Sequence, residues 1–531
     1  MGLPLAVVLI AGLLKKDIMN LDWWRQIGER LDKLVAIEDC KGILEESYKQ
    51  LPDFLKPCFL YFGSFPEDEK IRVNDLIILW ISEGFIEKHE TKSLEVVANE
   101  YLMDLVGRSL VIALRRSSVG RIKTCIVHDL LREFCLAKGK EENVFQVFDG
   151  NKDSNNLHYR ICIQDNCWSS FLRHENGSAA PFVHSLLPFP KDRRPLYDQI
   201  LEPKYIRSLA THFRFLQVLF LRSNVYVGAF PEAITELVLL KCLIIACDLK
   251  SVPPSVKKLE NLETLIFEHH FSVYSRSDFP LMAVLEMQKL RHLFVRGVCN
   301  PTGFENNMHP ISRTLRTFSC TDLLIPYNRS EMFFTKLPNV QTLKCQIKRA
   351  YSSLEEPKLI LKFDYLSRLE SLRVIYQTLG YQYSSSFELQ FPYSLKKLHL
   401  LDFRFPWSSM PAAISRLPNL EVLKLDGGIF GKTWNVEDYE FQTLKFLRLS
   451  YLGIEEFNAS DDSFPCLQHF AVDGCEDLQE IPIRFASIST LKIIEVDPDL
   501  ESSARYIQEE QKDLGNDLEV RISVGFRFRD S

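Results

Sequence analysis

The feature that most constrains this chain is a leucine spacing. From Leu216 onward an L-x-x-L-x-L unit, with other large apolar residues standing in for some leucines, starts at Leu216, Leu240, Leu262, Leu290, Leu315, Val340, Leu369, Leu395, Leu420, Leu444, Leu467 and Leu491. The steps run from 22 to 29 residues. That period belongs to solenoids, in which each repeat adds one strand and buries its apolar side only against its neighbours. One unit is complete in Leu249–Leu262, LKSVPPSVKKLENL, where Pro253 and Pro254 mark the turn away from the strand. Cys320 and Cys345 replace the last leucine of their units, which suits a small buried hydrophobe. Weaker strand-like words, YRICI from Tyr159 and VHSLL from Val183, extend the array backwards. Leu500–Asp513 reads as a charged helix and Leu518–Phe528 as a strand, a polar cap for the open edge.

Strand residues alternate faces, so the positions between the leucines line the opposite, concave side. The first repeats place Val218, Phe220, Ile244, Ile266 and Phe294 there. The later ones place Lys344, Arg373, Lys397, Lys424 and Arg448 there, with His292 and His399. Large apolar side chains left in water forgo about 1.5–3 kcal/mol each. Val218, Phe220, Ile244 and Ile266 are therefore expected to lie near or against residues 51–148, and the basic residues from Lys344 to Arg448 to stay open for an acidic partner.

Composition excludes several classes. At 531 residues, 46% hydrophobic and 25% charged, the chain is globular and too long for one ordinary domain. A net charge of -6 argues against a general nucleic-acid binder. The 13 cysteines are scattered, with no C-x-x-C and no Cys/His cluster at zinc spacing, so neither a metal site nor a disulfide framework is expected and a reducing compartment fits. Gly2–Leu14 is almost wholly apolar, but it lacks a basic leader and is followed by Lys15-Lys16-Asp17 rather than a small-residue cleavage site. It is too short to span a membrane, which takes about 20 residues, and Ala6 stands where an N-myristoylation signal needs Ser or Thr. No nucleophile–base pair suggests an enzyme.

Ahead of the repeats the chain is helical. Trp24, Ile27, Leu31 and Leu34 share one helical face, and Gly42–Tyr48 starts another helix. In Leu51–Glu87 the apolar residues Phe54, Leu55, Phe59, Leu60 and Phe62 are too rich in aromatics to be exposed, with Asp53 placed to cap the first turn. Leu76, Leu79 and Trp80 form a helical stripe, and Gly84 sits where a C-terminal glycine belongs. Ser93–Leu105 is a helix, and Ser109–Leu114 and Arg121–Val127 are strands around a Ser-Ser-Val-Gly turn. Helices followed by such a hairpin make a winged helix. Its wing carries Arg115, Arg116, Arg121 and Lys123, but the flanking helices are not basic, which argues against DNA. Asp129 is placed to cap the helix that follows, and His128 at that helix start could donate to a phosphate oxygen. Asp149–Asn156 is a polar linker.

The words C-F-L-Y-F-G-S-F-P-E-D and L-W-I-S-E-G-F-I resemble the winged-helix region of plant intracellular immune receptors, the nucleotide-binding leucine-rich-repeat family, nearest to its late-blight-resistance-like group. The resemblance implies an α/β leucine-rich-repeat solenoid, a horseshoe, preceded by a helical remnant and a winged helix. The implied divisions are 1–50 for the helical remnant, 51–148 for the winged helix, 149–157 for a linker, 158–499 for the repeats and 500–531 for a cap. It makes Gly2, Leu3, Pro4 and Leu5 the family's G-L-P-L motif, whose proline lies against the adenine of a bound nucleotide. Val127-His128-Asp129 becomes its M-H-D motif, whose histidine contacts the β-phosphate of ADP. It implies a cytoplasmic protein, peripheral at membranes or nuclear in some members. Its repeats would recognise a pathogen effector or a guarded host protein and control an ADP/ATP switch that leads to defence.

The sequence holds no G-x-x-x-x-G-K-[ST]. The chain therefore reads as an N-terminally truncated receptor that holds no nucleotide tightly alone, or, alternatively, as a protein-binding or decoy module without nucleotide. Gly431-Lys432-Thr433 imitates a phosphate loop, but Asp426 stands at its first glycine position, where a carboxylate would repel phosphate.

Overall fold

The computed structural model describes residues 3–14, 25, 40–117, 120–148, 159–164, 171, 182–189, 203–248, 252–268, 279, 281–299, 311–324, 330–348, 359–377, 387–403, 411–428 and 431–523. The apolar face from Trp24 to Leu34 and the linker Asp149–Asn156 lie outside them. The chain divides into two compact units, residues 1–248 with 258–270, and residues 249–257 with 271–531.

The first unit opens with α1 (Leu3–Leu14) and α2 (Cys40–Lys49), which pack together. A winged helix follows: α3 (Lys56–Leu60), β1 (Ile71–Arg72), α4 (Val73–Ser82), α5 (Leu94–Gly107), β2 (Ile112–Arg116), β3 (Ile122–Ile126) and α6 (Asp129–Glu141). Its sheet is antiparallel in the order β1-β3-β2; the two-residue β1 was too short to read from the sequence. Leu76, Leu79 and Trp80 are fully buried, with the Phe62 ring edge-on to Trp80 at 5.9 Å. Gly84 adopts φ 78° and lets the Phe85 amide turn back to the Trp80 carbonyl at 3.0 Å, closing α4. Gly63 is required by close approach: a Cβ there would stand 2.6 Å from the Leu136 amide nitrogen of α6.

Two local expectations fail. Asp53 caps nothing; α3 begins after Leu55, and the Asp53 carboxylate instead takes the Lys56 ammonium at 2.7 Å. Phe54 is 39% exposed and leans on Tyr101 with ring centroids 4.8 Å apart. Aromatic density predicted a buried segment, but a helix one turn long always points some of its side chains outward.

The unit continues into parallel strands β4 (Gln146–Phe148), β5 (Arg160–Gln164), β6 (Ser185–Phe189), β7 (Val218–Ala229), β8 (Cys242–Asp248) and β9 (Thr264–Glu268), paired in chain order, with helix α7 (Pro203–His212) between β6 and β7. The sheet thus starts at Gln146, one strand earlier than the sequence suggested.

In the second unit the strands are β10 (His292–Cys299), β11 (Thr317–Leu323), β12 (Thr342–Lys348), β13 (Leu359–Lys362), β14 (Ser371–Gln377), β15 (Phe387–Gln390), β16 (Lys397–Leu401), β17 (Val422–Asp426), β18 (Thr433–Val436), β19 (Phe446–Ser450), β20 (Glu456–Ala459), β21 (His469–Asp473), β22 (Ile493–Val496) and β23 (Glu519–Ile522). Ten of them form one parallel sheet, while β13 pairs with β15 and β18 with β20 in two small parallel sheets. The leucine positions stand in register: Leu372, Leu398, Leu423, Leu447 and Phe470 face one another strand to strand and are buried. Aromatic rings fill the layer behind, with Trp434 stacked on Phe457 at 4.7 Å and Phe441 on Phe464 at 5.1 Å.

A second ladder joins the repeats where each chain turns into its strand. The residue just before the first leucine position donates to a carbonyl of the preceding repeat: Thr314 to Leu290, Asn339 to Arg313, Ser394 to Leu369, Asn419 to Tyr393, Thr443 to Leu420 and Thr490 to Leu467. The unit closes on helix α8 (Glu501–Asp513), whose fully buried Gln511 donates to the carbonyls of Phe485 and Ile488. The expected final strand is β23; its continuation beyond residue 523 lies outside the described residues. The imitation phosphate loop is occupied otherwise: Lys432 reaches Glu455 at 2.6 Å, and Thr433 starts a strand, not a helix.

Candidate functional site

The nucleotide-facing residues are only partly visible. Leu3, Pro4 and Leu5 belong to α1, but their side chains, and Gly2, lie outside what the structure describes. Further along α1, Gly12 approaches the Arg108 carbonyl so closely that a Cβ there would stand 2.2 Å from it, which holds α1 against the end of α5. Nothing described brings Leu3–Leu5 together with His128.

His128 itself is exposed, and it corrects the sequence reading of this turn. His128, not Asp129, is the N-cap of α6: its backbone is extended (φ -62°, ψ 144°) and its ring accepts the Leu130 amide at Nδ1, 3.3 Å away. Asp129 is already helical and sits in the first turn, where its charge favours the positive end of the helix. Asp is the stronger capping residue by preference, but the strand ending at Ile126 leaves His128 as the last extended residue. With Nδ1 accepting, a neutral ring carries its proton on Nε2, which is the nitrogen that could donate to an anion.

Sequence reasoning missed the junction between the winged helix and the first repeats, and this junction is the best-defined polar cluster of the first unit. The Glu83 carboxylate, just past the end of α4, is only 2% exposed. It receives Tyr61 Oη at 3.0 Å, Arg160 Nε of β5 at 2.6 Å and Ser185 Oγ of β6 at 2.9 Å. Arg160 also donates to the Glu83 and Val144 carbonyls, and its guanidinium lies 4.7 Å from the centroid of the Phe85 ring. Burial, then the neighbouring Glu83 charge, hold the Tyr61 hydroxyl well above its usual range. Just before β6, burial and then the Arg160 charge lower the pKa of His184. Glu83 lies in the I-S-E-G-F word, yet nothing local marks it, because its cation comes 77 residues later.

The apolar concave residues lie beside this cluster. Val218, Phe220, Ile244 and Ile266 are at most 7% exposed, and α4 lies against β8. Phe294, in the second unit, is half-buried.

The basic residues of the second unit fall into two rows rather than one. Lys344, Arg373, His399, Lys424 and Arg448 stand in register on β12, β14, β16, β17 and β19. Lys397 does not belong to that row; it aligns with Ser371, Val422 and Phe446, two residues earlier in each strand. Leucine spacing alone did not separate the rows, because both face the same side. Lys344 is exposed and the others are half-buried. Two residues further along the strands a row contains Asp426, Ser450 and Asp473. Arg448 donates to Asp473 at 3.1 Å and to Ser450 at 3.0 Å. The Asp426 carboxyl titrates above its ordinary value because of burial and the nearby Asp402, with Arg448 and Arg373 pulling the other way. The Lys424 ammonium lies 5.2 Å from the centroid of the Phe446 ring.

Among the described residues no group of His, Cys, Asp and Glu could hold a metal ion, and no helix is long and apolar enough to cross a membrane.

Comparison with known proteins matches residues 65–135 to the disease resistance protein winged helix domain and residues 202–520 to a leucine-rich repeat region. A putative late blight resistance protein homolog, R1B-16, from Solanum demissum is 34% identical over 96% of this chain. The late blight resistance protein R1-A of the same plant is 33% identical, again over 96% of this chain. The chain spans 39% of the length of each. It belongs, with these resistance proteins, to the leucine-rich-repeat family that carries a disease-resistance winged helix.

Proposed function

We propose that this chain is the recognition and control part of a cytoplasmic plant immune receptor. Its repeats bind a pathogen effector or a guarded host protein, and its winged helix passes that event to an ADP/ATP switch that triggers defence. The observation that carries this reading is the Glu83 cluster, because one carboxylate of the winged helix is held by side chains from two successive repeat strands. A shift of those strands on partner binding would have to break or carry that contact. In this reading Pro4 and its neighbours Gly2, Leu3 and Leu5 face adenine, while His128 Nε2 donates to a phosphate oxygen, with Asp129 beside it.

The test uses this chain mixed with the separately expressed nucleotide-binding segment of R1-A. Alone, the chain is expected to show no sub-micromolar ADP binding by calorimetry, because no phosphate-cradling loop occurs in its sequence. In the mixture, His128→Ala should speed ADP release by about 10-fold or more, the loss of a charge-assisted bond of about 1.5–3 kcal/mol. His128→Asn keeps a capping side chain but removes the donor, so it should speed release as well. Restoration of the wild-type off-rate by Asn would assign His128 to capping alone and overturn its nucleotide role.

A further inference from the structure

The reading that the repeats bind a protein through their concave side leaves open what kind of segment they take, and the second unit narrows it. In the row Arg373–His399–Lys424–Arg448, neighbouring positions are one strand apart, about 4.8 Å. Three steps from Arg373 to Arg448 cover about 14 Å. An extended polypeptide repeats a given face about every 6.8 Å, so three acidic residues at alternate positions span the same length. The row beside it already supplies carboxylates: Asp473 holds Arg448 at 3.1 Å, and Asp426 stands in register with Ser450 and Asp473, two residues beyond Lys424 on β17. On the other side stand Val422 and Phe446, each 4% exposed. Stacking by the bases of a single-stranded nucleic acid needs an open aromatic face, which Phe446 does not offer.

Resting on that concave-face reading, we propose that Asp426 and Asp473 are built-in stand-ins for the carboxylates of an acidic, extended polypeptide segment. That segment crosses β14 to β19 and takes over Arg373, Lys424 and Arg448 when it binds. The unusual consequence is that removing an acid from this surface should strengthen binding, because the free protein then has a weaker internal competitor.

The experiment titrates the full chain into fluorescein-labelled deca-glutamate at low salt, read by anisotropy, with a deca-thymidine oligonucleotide and inorganic tripolyphosphate as competitors. Asp473→Asn, close in shape to the native residue, is expected to tighten deca-glutamate binding by about 5-fold, and Asp426→Asn by a smaller factor, as for one partly screened charge pair. Lys424→Gln is expected to weaken it by about 5-fold. Unaltered thermal melting of the Asn variants keeps the comparison clean. Equal or weaker binding by a folded Asp473→Asn variant overturns the proposal, as does deca-thymidine binding more tightly than deca-glutamate or tripolyphosphate displacing the peptide at equal charge. Hydrogen exchange of the complex separates the two levels. Protection on β14 to β19 without tightening by Asp473→Asn sinks the stand-in idea alone, whereas protection confined elsewhere sinks the concave-face reading as well.

Discussion

Removing one partner of the Glu83–Arg160 pair leaves the other charge in a site with little water. Arg160 keeps some solvent, since its side chain is 22% exposed against 2% for Glu83, so the two truncations should not be equivalent. Arg160→Ala leaves a buried carboxylate held only by Tyr61 and Ser185 hydroxyls, and is expected to cost about 3 kcal/mol in urea unfolding of the first unit. Glu83→Gln, which still accepts hydrogen bonds and frees a guanidinium able to reach water, should cost less, about 1–2 kcal/mol. A loss for Arg160→Ala no greater than that for Glu83→Gln would mean that the pair is not acting as a buried one. His184 gives the same region a pH dependence. Its pKa is lowered in the folded chain, so between the unfolded value of 6.5 and the folded value the unfolded chain binds more protons. Stability is therefore fully present above pH 6.5 and falls as the pH drops through that window. Urea midpoints at successive pH values for His184→Gln and wild type should diverge below that point, with the variant losing less stability. Parallel curves would remove His184 from the account.

At the level of elements, what could be read in advance was what repeats or what is local. The strand positions followed from leucine spacing, and Gly84 from the end of an apolar stripe, because period and chain chirality act within a few residues. His128 and Asp129 were read in the right turn but in the wrong order, since a cap depends on which residue leaves the strand last. Glu83 was invisible, because its role depends on a partner far along the chain. The polar residue before six of the first leucine positions lay in plain sight and was not read; its carbonyl acceptor is set by the stacking of repeats, which no single repeat contains. That ladder predicts a modest, local effect. Asn419→Ala removes a 2.8 Å bond to the Tyr393 carbonyl on an exposed turn. The loss is expected to be about 0.5–1.5 kcal/mol, because water can replace part of it. Native-state hydrogen exchange should show it as faster opening of β16 and β17 rather than as global unfolding.

For the molecule as a whole, the repeat architecture makes stability a sum of neighbour contacts, so damage at one end should stay near that end. Gln511 offers the sharpest test. It is the only fully buried polar residue of α8, and its amide nitrogen serves two carbonyls of the preceding turn, Phe485 at 3.1 Å and Ile488 at 2.9 Å. Its side-chain oxygen in turn accepts from Asn516. Gln511→Ala would remove both side-chain bonds, although the Phe485 carbonyl keeps the Ile488 amide at 3.3 Å and the Ile488 carbonyl keeps the Leu491 amide at 3.0 Å. Losing two buried hydrogen bonds at about 0.5–1.5 kcal/mol each costs about 1–3 kcal/mol, more than the loss of one exposed bond such as that of Asn419. The α8 helix would loosen, and with it the cover over β22 and β23. Amide exchange should therefore quicken in β21, β22, β23 and α8, with β5 to β9 of the first unit unchanged within error. Equal acceleration in both units would show that the chain opens as one cooperative body, and the nearest-neighbour picture of this array would fail. No change at β22 and β23 would instead mean that α8 is held by Ala504 and Ile507 alone, with Gln511 contributing nothing to the closure.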